Sequence, residues 1–85
     1  YEIYTDLLEI LSKRGSCPVT RISYGANLPV DRTKKFLAFL ASRGFVREEI
    51  VDDSRRYRIT RRGAEYLETF RRMQRMFAAL SEEPI

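Results

Sequence analysis

The tightest constraint on this chain is the stretch GANLPVDRTKKF, residues 25 to 36, where signals that end one helix stand directly before signals that begin another. Gly25 and Asn27 break a helix, because glycine is costly inside one and asparagine tolerates the left-handed backbone that closes one. Pro29 suits the first turn of the next helix, where its missing N–H costs nothing, and Asp31 complements that helix's positive end. Two helices therefore meet over a hinge of a few residues, with Leu28 its sole large apolar side chain.

Hydrophobic spacing extends this frame in both directions. Over residues 2 to 14, Ile3, Leu7, Leu8 and Leu11 recur at helical spacing, with Glu2, Asp6 and Glu9 early and Lys13 and Arg14 late, and Gly15 ends the run. After a Ser16-Cys17-Pro18 connector, Val19, Ile22 and Ala26 mark the inner side of a second helix of about two turns, closed by Asn27. The third helix begins near 29 or 30. Thr33, Phe36, Leu37 and Leu40 gather on its inner side, and Asp31, Lys34, Lys35, Ala38 and Ser42 on its outer side. Phe39 lies at the edge beside Arg32 and Arg43, placed either to finish the core or to cover a neighbour. Gly44 stops this helix. FVREEIV (45 to 51) and RRYRIT (55 to 60) then read as strands around an Asp52-Asp53-Ser54 turn, a hairpin with a charged tip. Thr60 is an N-cap for a last helix from 61 to about 80. The expected fold is mainly α with a small β-hairpin, in the order helix, helix, helix, hairpin, long helix. Residues 1 to 60 form the head, 61 to 80 a helix of the same compact unit, and 81 to 85 a frayed tail.

At 85 residues the chain suits one small domain in which stabilisation by a partner chain is unsurprising. Its formal charge is +4, and of its 16 basic residues all but Lys13, Lys34 and Lys35 are arginine, a composition that suits a phosphate-rich partner. The positive charge is local: residues 54 to 75 hold Arg55, Arg56, Arg58, Arg61, Arg62, Arg71, Arg72 and Arg75 against Glu65 and Glu68. One cysteine excludes an internal disulfide framework and any multi-cysteine zinc site, and points to a reducing, cytoplasmic setting. No apolar run approaches the roughly 20 residues of a spanning helix, and YEIYTDLL lacks the pattern of a secretion signal.

Two short helices joined by a tight turn, the second polar and basic outside, match a helix-turn-helix whose second helix enters the major groove of double-stranded DNA. A groove about 12 Å wide admits one helix, and outward side chains must then donate to phosphates and base edges. Lys34 and Lys35 meet that demand, Arg32 reaches a flanking phosphate, and small Ala38 allows close approach. The plainer reading of such a face is a solvated helix surface. Asp31 either serves the helix terminus or accepts from a cytosine amine. Ser54, Arg55, Arg56 and Arg58 put donors on the hairpin, to lie along the backbone or in the minor groove, unless these arginines only protect a strand edge. Alternation sends Arg56, Arg58 and Thr60 to one face and Tyr57 and Ile59 to the other, so Tyr57 reads as core rather than as a stacking platform for bases. Near the start of the second helix, the backbone and side chains of Thr20 and Arg21 can hold a phosphate. Tyr24 either adds a phosphate contact or is half-buried.

In the last helix Gly63, Tyr66, Phe70, Met73, Phe77 and Leu80 alternate at spacings of three and four, a heptad seam. Leu67 sits one position off and packs back on the domain. The seam either covers the domain's own core or pairs with a second copy, and a homodimer through Tyr66, Phe70, Met73, Phe77 and Leu80 is the favoured reading, because one small head has little room for those side chains. Catalysis has no constellation: there is no histidine, no Gly-rich phosphate loop and no spaced set of metal ligands, so no cofactor, metal or small-molecule substrate is expected. Glu48-Glu49 and Asp52-Asp53 are adjacent only in sequence and read as solvated. A helix-turn-helix with a hairpin can also serve as a pure protein-docking module, with arginines meeting an acidic partner, and this is the rival to DNA binding.

TRISYGANLPVDRTKKFLAFLASRGFV (20 to 46) and YRITRRGAEYL (57 to 67) resemble a family of small archaeal winged-helix DNA-binding proteins, some of them chromatin-associated. The resemblance implies a winged helix whose third helix reads the groove, a hairpin wing, and two heads joined by a C-terminal antiparallel coiled coil. It also implies a homodimeric transcription regulator or chromatin component associated with the nucleoid. On that pattern Thr20 and Arg21 match the phosphate contacts of the second helix, Arg32, Lys34 and Lys35 the recognition-helix cations, and Arg55 and Arg56 the wing. Pro29 departs from it, standing where the family often has a capping serine.

Overall fold

The structure, a computed structural model, describes residues 2–81. The frayed tail expected over 81 to 85 falls, beyond Ser81, outside the described residues. Seven elements follow one another: α1 (Glu2–Arg14), β1 (Cys17–Pro18), α2 (Val19–Ala26), α3 (Val30–Ser42), β2 (Val46–Val51), β3 (Ser54–Ile59) and α4 (Arg61–Ser81). The helix periodicities thus become helices at the expected places, and the architecture is mainly α with a small antiparallel sheet, a winged helix carrying a long C-terminal helix.

The helix ends are set by the residues the sequence marks. Asn27 takes φ 56° and its N–H bonds the Tyr24 carbonyl, while the Leu28 N–H bonds that of Ser23 at 3.0 Å. The same pair of bonds closes α3, from Gly44 (φ 79°) to Ala41 and from Phe45 to Leu40. Both are Schellman closures, in which a left-handed residue lets two otherwise orphaned carbonyls be satisfied. Pro29 is the N-cap of α3, and Thr33 returns both its N–H and its hydroxyl to the Pro29 carbonyl, which lets this polar side chain be fully buried. Gly25 departs from the expected helix break. It lies inside α2, where a Cβ would come 3.3 Å from Cδ1 of Ile10, so its smallness serves the packing of α2 on α1.

The core is formed by Leu7, Leu8 and Leu11 of α1, Ile22 of α2, Leu37 and Leu40 of α3, Cys17, Val46 and Tyr57 of the sheet, and Leu67 of α4. Phe39 covers a neighbour: its ring stacks on Tyr4 of α1 at 5.2 Å with 41% of the residue exposed.

The sheet holds one strand more than the expected hairpin. The Cys17-Pro18 connector pairs with β3, Cys17 opposite Tyr57 and Pro18 opposite Arg56, giving the order β1-β3-β2. Two residues carry no periodicity, and so this strand left no signal in the pattern. Val51 pairs with Ser54, which makes the turn Asp52-Asp53 alone, both in the left-handed region at φ 51° and 62°. Ser54 is therefore a strand residue, not part of the turn.

Thr60 joins the head to α4. Its Oγ1 accepts from the Gly63 N–H at 3.1 Å and donates to the Gly44 carbonyl at 2.6 Å. Gly63 does not belong to an outward seam. It is buried, and a Cβ there would overlap the Phe45 carbonyl and crowd Ile59. Leu67 packs inward as expected and Tyr66 lies on Phe45 with ring centroids 5.0 Å apart, so the first two turns of α4 belong to the head. The rest projects beyond it. A radius of gyration of 14.5 Å and a long axis of 57 Å exceed what a spherical chain of this size shows, about 12 Å for the radius.

Candidate nucleic-acid interface

Burial of Thr33, Leu37 and Leu40 fixes how α3 is rotated, and by 100° per residue that rotation turns Asp31, Arg32, Lys34, Lys35, Ala38 and Ser42 outward. All six are exposed. Neither lysine makes an ion pair among the described residues, so both ammonium groups are available to an external anion. Arg32 lies 5.8 Å from the Phe36 ring centroid and Arg43 5.3 Å from that of Phe39, placing two further cations along the aromatic edge of the same helix.

On α2, Ile22 and Ser23 face the core while Thr20, Arg21 and Tyr24 point out. Tyr24 is 90% exposed, which removes the half-buried alternative and leaves its hydroxyl free to reach a phosphate. The α2 N-cap is Pro18, which offers no side-chain hydrogen bond to the first turn. The first-turn N–H groups therefore lack a side-chain cap and favour negative charge.

The hairpin differs from the basic ribbon expected of it. Across Val46 to Ile59, Arg47, Arg55, Arg56 and Arg58 are balanced by Glu48, Glu49, Asp52 and Asp53. Glu48 and Glu49 are not simply solvated. The Tyr57 hydroxyl donates to Glu48 Oε2 at 3.1 Å and Arg55 pairs with the same carboxylate at 3.6 Å; Glu49 receives Arg58 at 3.1 Å and Arg47 at 3.9 Å. Burial, helped by Glu48, pushes the Tyr57 hydroxyl above its ordinary pKa, so it stays a hydrogen-bond donor. Arg55 and Arg56 leave β3 on opposite faces, and Arg56 is half-buried with Nη1 donating to the Ser16 carbonyl at 3.3 Å. Exposed pairs of this kind contribute about 0–1 kcal/mol, so Arg55 and Arg58 can exchange a glutamate for a phosphate at little cost.

The structure therefore brings the candidate residues together in two groups. Arg32, Lys34, Lys35 and Ala38 share the outer side of α3. Arg21 and Arg56 share a cleft with Arg14 and Ser16, two residues the sequence reading had not marked for binding. Arg14 had a sufficient explanation as the cation at the negative end of α1, and only the sheet pairing of β1 shows what lies beside it.

The family model described as winged helix-turn-helix matches residues 1–78. Among solved structures, the DNA-binding protein Sso10a-2 from Sulfolobus solfataricus superposes with a TM-score of 0.73 at 26% identity, over 95% of this chain and 86% of its own. A MarR family transcriptional regulator from Silicibacter pomeroyi reaches a TM-score of 0.82 at 21% identity, over 96% of this chain, which spans 58% of that regulator's length. BpsR from Bordetella bronchiseptica reaches 0.83 at 10% identity, with 63% of its chain covered. These last two share the fold. No curated protein sequence matches the chain. The match over nearly its whole length, together with the order of elements, the Schellman-closed hinge and the wing, establishes that the chain belongs to the winged helix-turn-helix family.

Proposed function

We propose that the protein binds double-stranded DNA as a homodimeric regulator or chromatin component, with α3 in the major groove and the wing along the backbone or in the minor groove. The observation that carries this reading is the outer side of α3: Lys34 and Lys35 exposed and without carboxylate partners among the described residues, Ala38 small between them and the next turn, and no large apolar side chain among them. A helix of about 10–12 Å diameter fills a groove about 12 Å wide, so these side chains come within reach of base edges and phosphates. Sso10a-2, at 26% identity, is a DNA-binding protein, which supports the same role here.

The dimer rests on α4. Past the head, Met73, Met76, Phe77 and Leu80 are between 48% and 67% exposed, and Tyr66, Thr69, Phe70 and Met73 line a shallow apolar groove on the same helix. A second copy laid against this side buries both stripes at once and sets two heads on one rod.

The test is Lys34→Ala with Lys35→Ala in the full chain. Fluorescence anisotropy with a mixed-sequence duplex is expected to show weaker binding, with the salt slope reduced by about 1.8 for each head bound, two phosphate contacts being lost per head, and an unchanged helical circular dichroism spectrum. Unchanged affinity would move the interface off α3. One observation favours the rival docking role: Ile50 and Val51, 72% and 43% exposed beside Asp52 and Asp53, give the wing an apolar and acidic tip unlike a backbone contact.

A further inference from the structure

Three arginines from three elements converge on one cleft. Arg14 comes from the last turn of α1, Arg21 from the first turn of α2 and Arg56 from β3, around Ser16, Cys17 and Pro18. Arg47, Arg55, Arg58, Arg72 and Arg75 each find a glutamate, whereas these three, like Arg32, Arg43, Arg61, Arg62 and Arg71, have no carboxylate partner among the described residues. Three arginines lining one cleft with no carboxylate among its lining residues favour an anion there. Ser16 lines this cleft, and its Oγ is buried and lacks a hydrogen-bond partner among the described residues. A native structure rarely leaves such a group unmet, and a hydroxyl here can donate to an oxyanion. Arg56 is fixed by its bond to the Ser16 carbonyl, which leaves its other nitrogens for a ligand. The uncapped first turn of α2 starts at Val19, next to Pro18.

We propose that this cleft holds one phosphate group, and that its source is a DNA strand flanking the segment entered by α3. This deepens the DNA-binding reading and rests on it. Guanidinium forks match the oxygens of a phosphate in pairs, whereas nothing in the cleft reads a base. The contact is therefore independent of sequence. It anchors α1, α2 and β3 to the backbone together, and Arg14 and Arg21 supply positive charge that the electrically balanced wing lacks.

The experiment uses the full chain and two double variants: Arg14→Ala with Arg21→Ala, and Arg14→Lys with Arg21→Lys. Arg56 is left in place because it also holds Ser16. Duplex affinity is measured against salt, and amide shifts of Ser16 to Arg21 are followed during pyrophosphate titration. The alanine pair should lower the salt slope by about 0.9 for each head bound, by the same amount on unrelated duplexes, and the lysine pair should restore the slope. If the slopes are unchanged but pyrophosphate moves the cleft amides in the wild type and not in the alanine pair, the site stands with a free phosphate as its occupant. Should the wild type bind pyrophosphate here yet bind no duplex, the DNA reading fails and the anion site survives. Unaltered slopes with no pyrophosphate response overturn the site.

Discussion

At the scale of single residues, the positions that hold this molecule together are those where the backbone has no alternative. Thr60 caps α4 with the oxygen that also bonds the Gly44 carbonyl, so one hydroxyl closes α3, the sheet and α4 on each other. Thr60→Ala removes a cap and leaves a carbonyl to find water, a loss of about 1–2 kcal/mol. Thermal unfolding should fall by about 4–8 °C per kcal/mol for a domain of this size. A melting temperature equal to the wild type would mean that the cap contributes nothing. Thr60, Asn27, Gly44 and Pro29 were legible in the sequence because each solves a local backbone problem visible in its neighbours. Gly25 and Gly63 were not. Their smallness answers to Ile10 and to the Phe45 carbonyl, which approach only in the folded chain.

At the scale of elements, periodicity revealed every helix, because each buries one side at a spacing of three and four. It could not reveal β1, a strand of two residues, nor the wing's register. With Ser54 read as turn, the sequence does not show that Glu48 stands opposite Tyr57 and within reach of Arg55. The tight turn has its own consequence. Asp52 and Asp53 both hold positive φ, which suits a two-residue hairpin of type I′ but is disfavoured for any residue with a Cβ. Asp53→Gly is expected to stabilise the fold by a few tenths to about 1 kcal/mol, since glycine enters this conformation without steric cost. Chemical denaturation is the check, and a lower midpoint would show that the aspartate makes a favourable interaction at the tip. The candidate site divides in the same way: Lys34 and Lys35 follow from the rotation of one helix, whereas the Arg14, Arg21 and Arg56 cleft requires three elements to be assembled.

The whole molecule is a head with a rod. Its apolar stripe runs along the part of α4 that projects from the head, where Met73, Met76 and Leu80 stay exposed among the described residues. Burying each such side chain stabilises an interface by roughly 1.5–3 kcal/mol, and in a symmetric dimer every one is buried twice. Sedimentation equilibrium at micromolar concentration should therefore show a dimer that Phe77→Glu converts to a folded monomer; a monomeric wild type would refute the rod as an interface. In the proposed dimer, two heads on one rod would double the number of phosphates a complex neutralises, so the salt dependence of duplex binding would report on the whole assembly. The central claim, that this molecule is built to hold double-stranded DNA, is tested most directly by measuring wild-type affinity for a mixed-sequence duplex across a series of salt concentrations. The expected result is a straight line of log affinity against log salt, falling by about 0.9 for each phosphate neutralised. Absence of binding at low salt, or binding indifferent to salt, would contradict it.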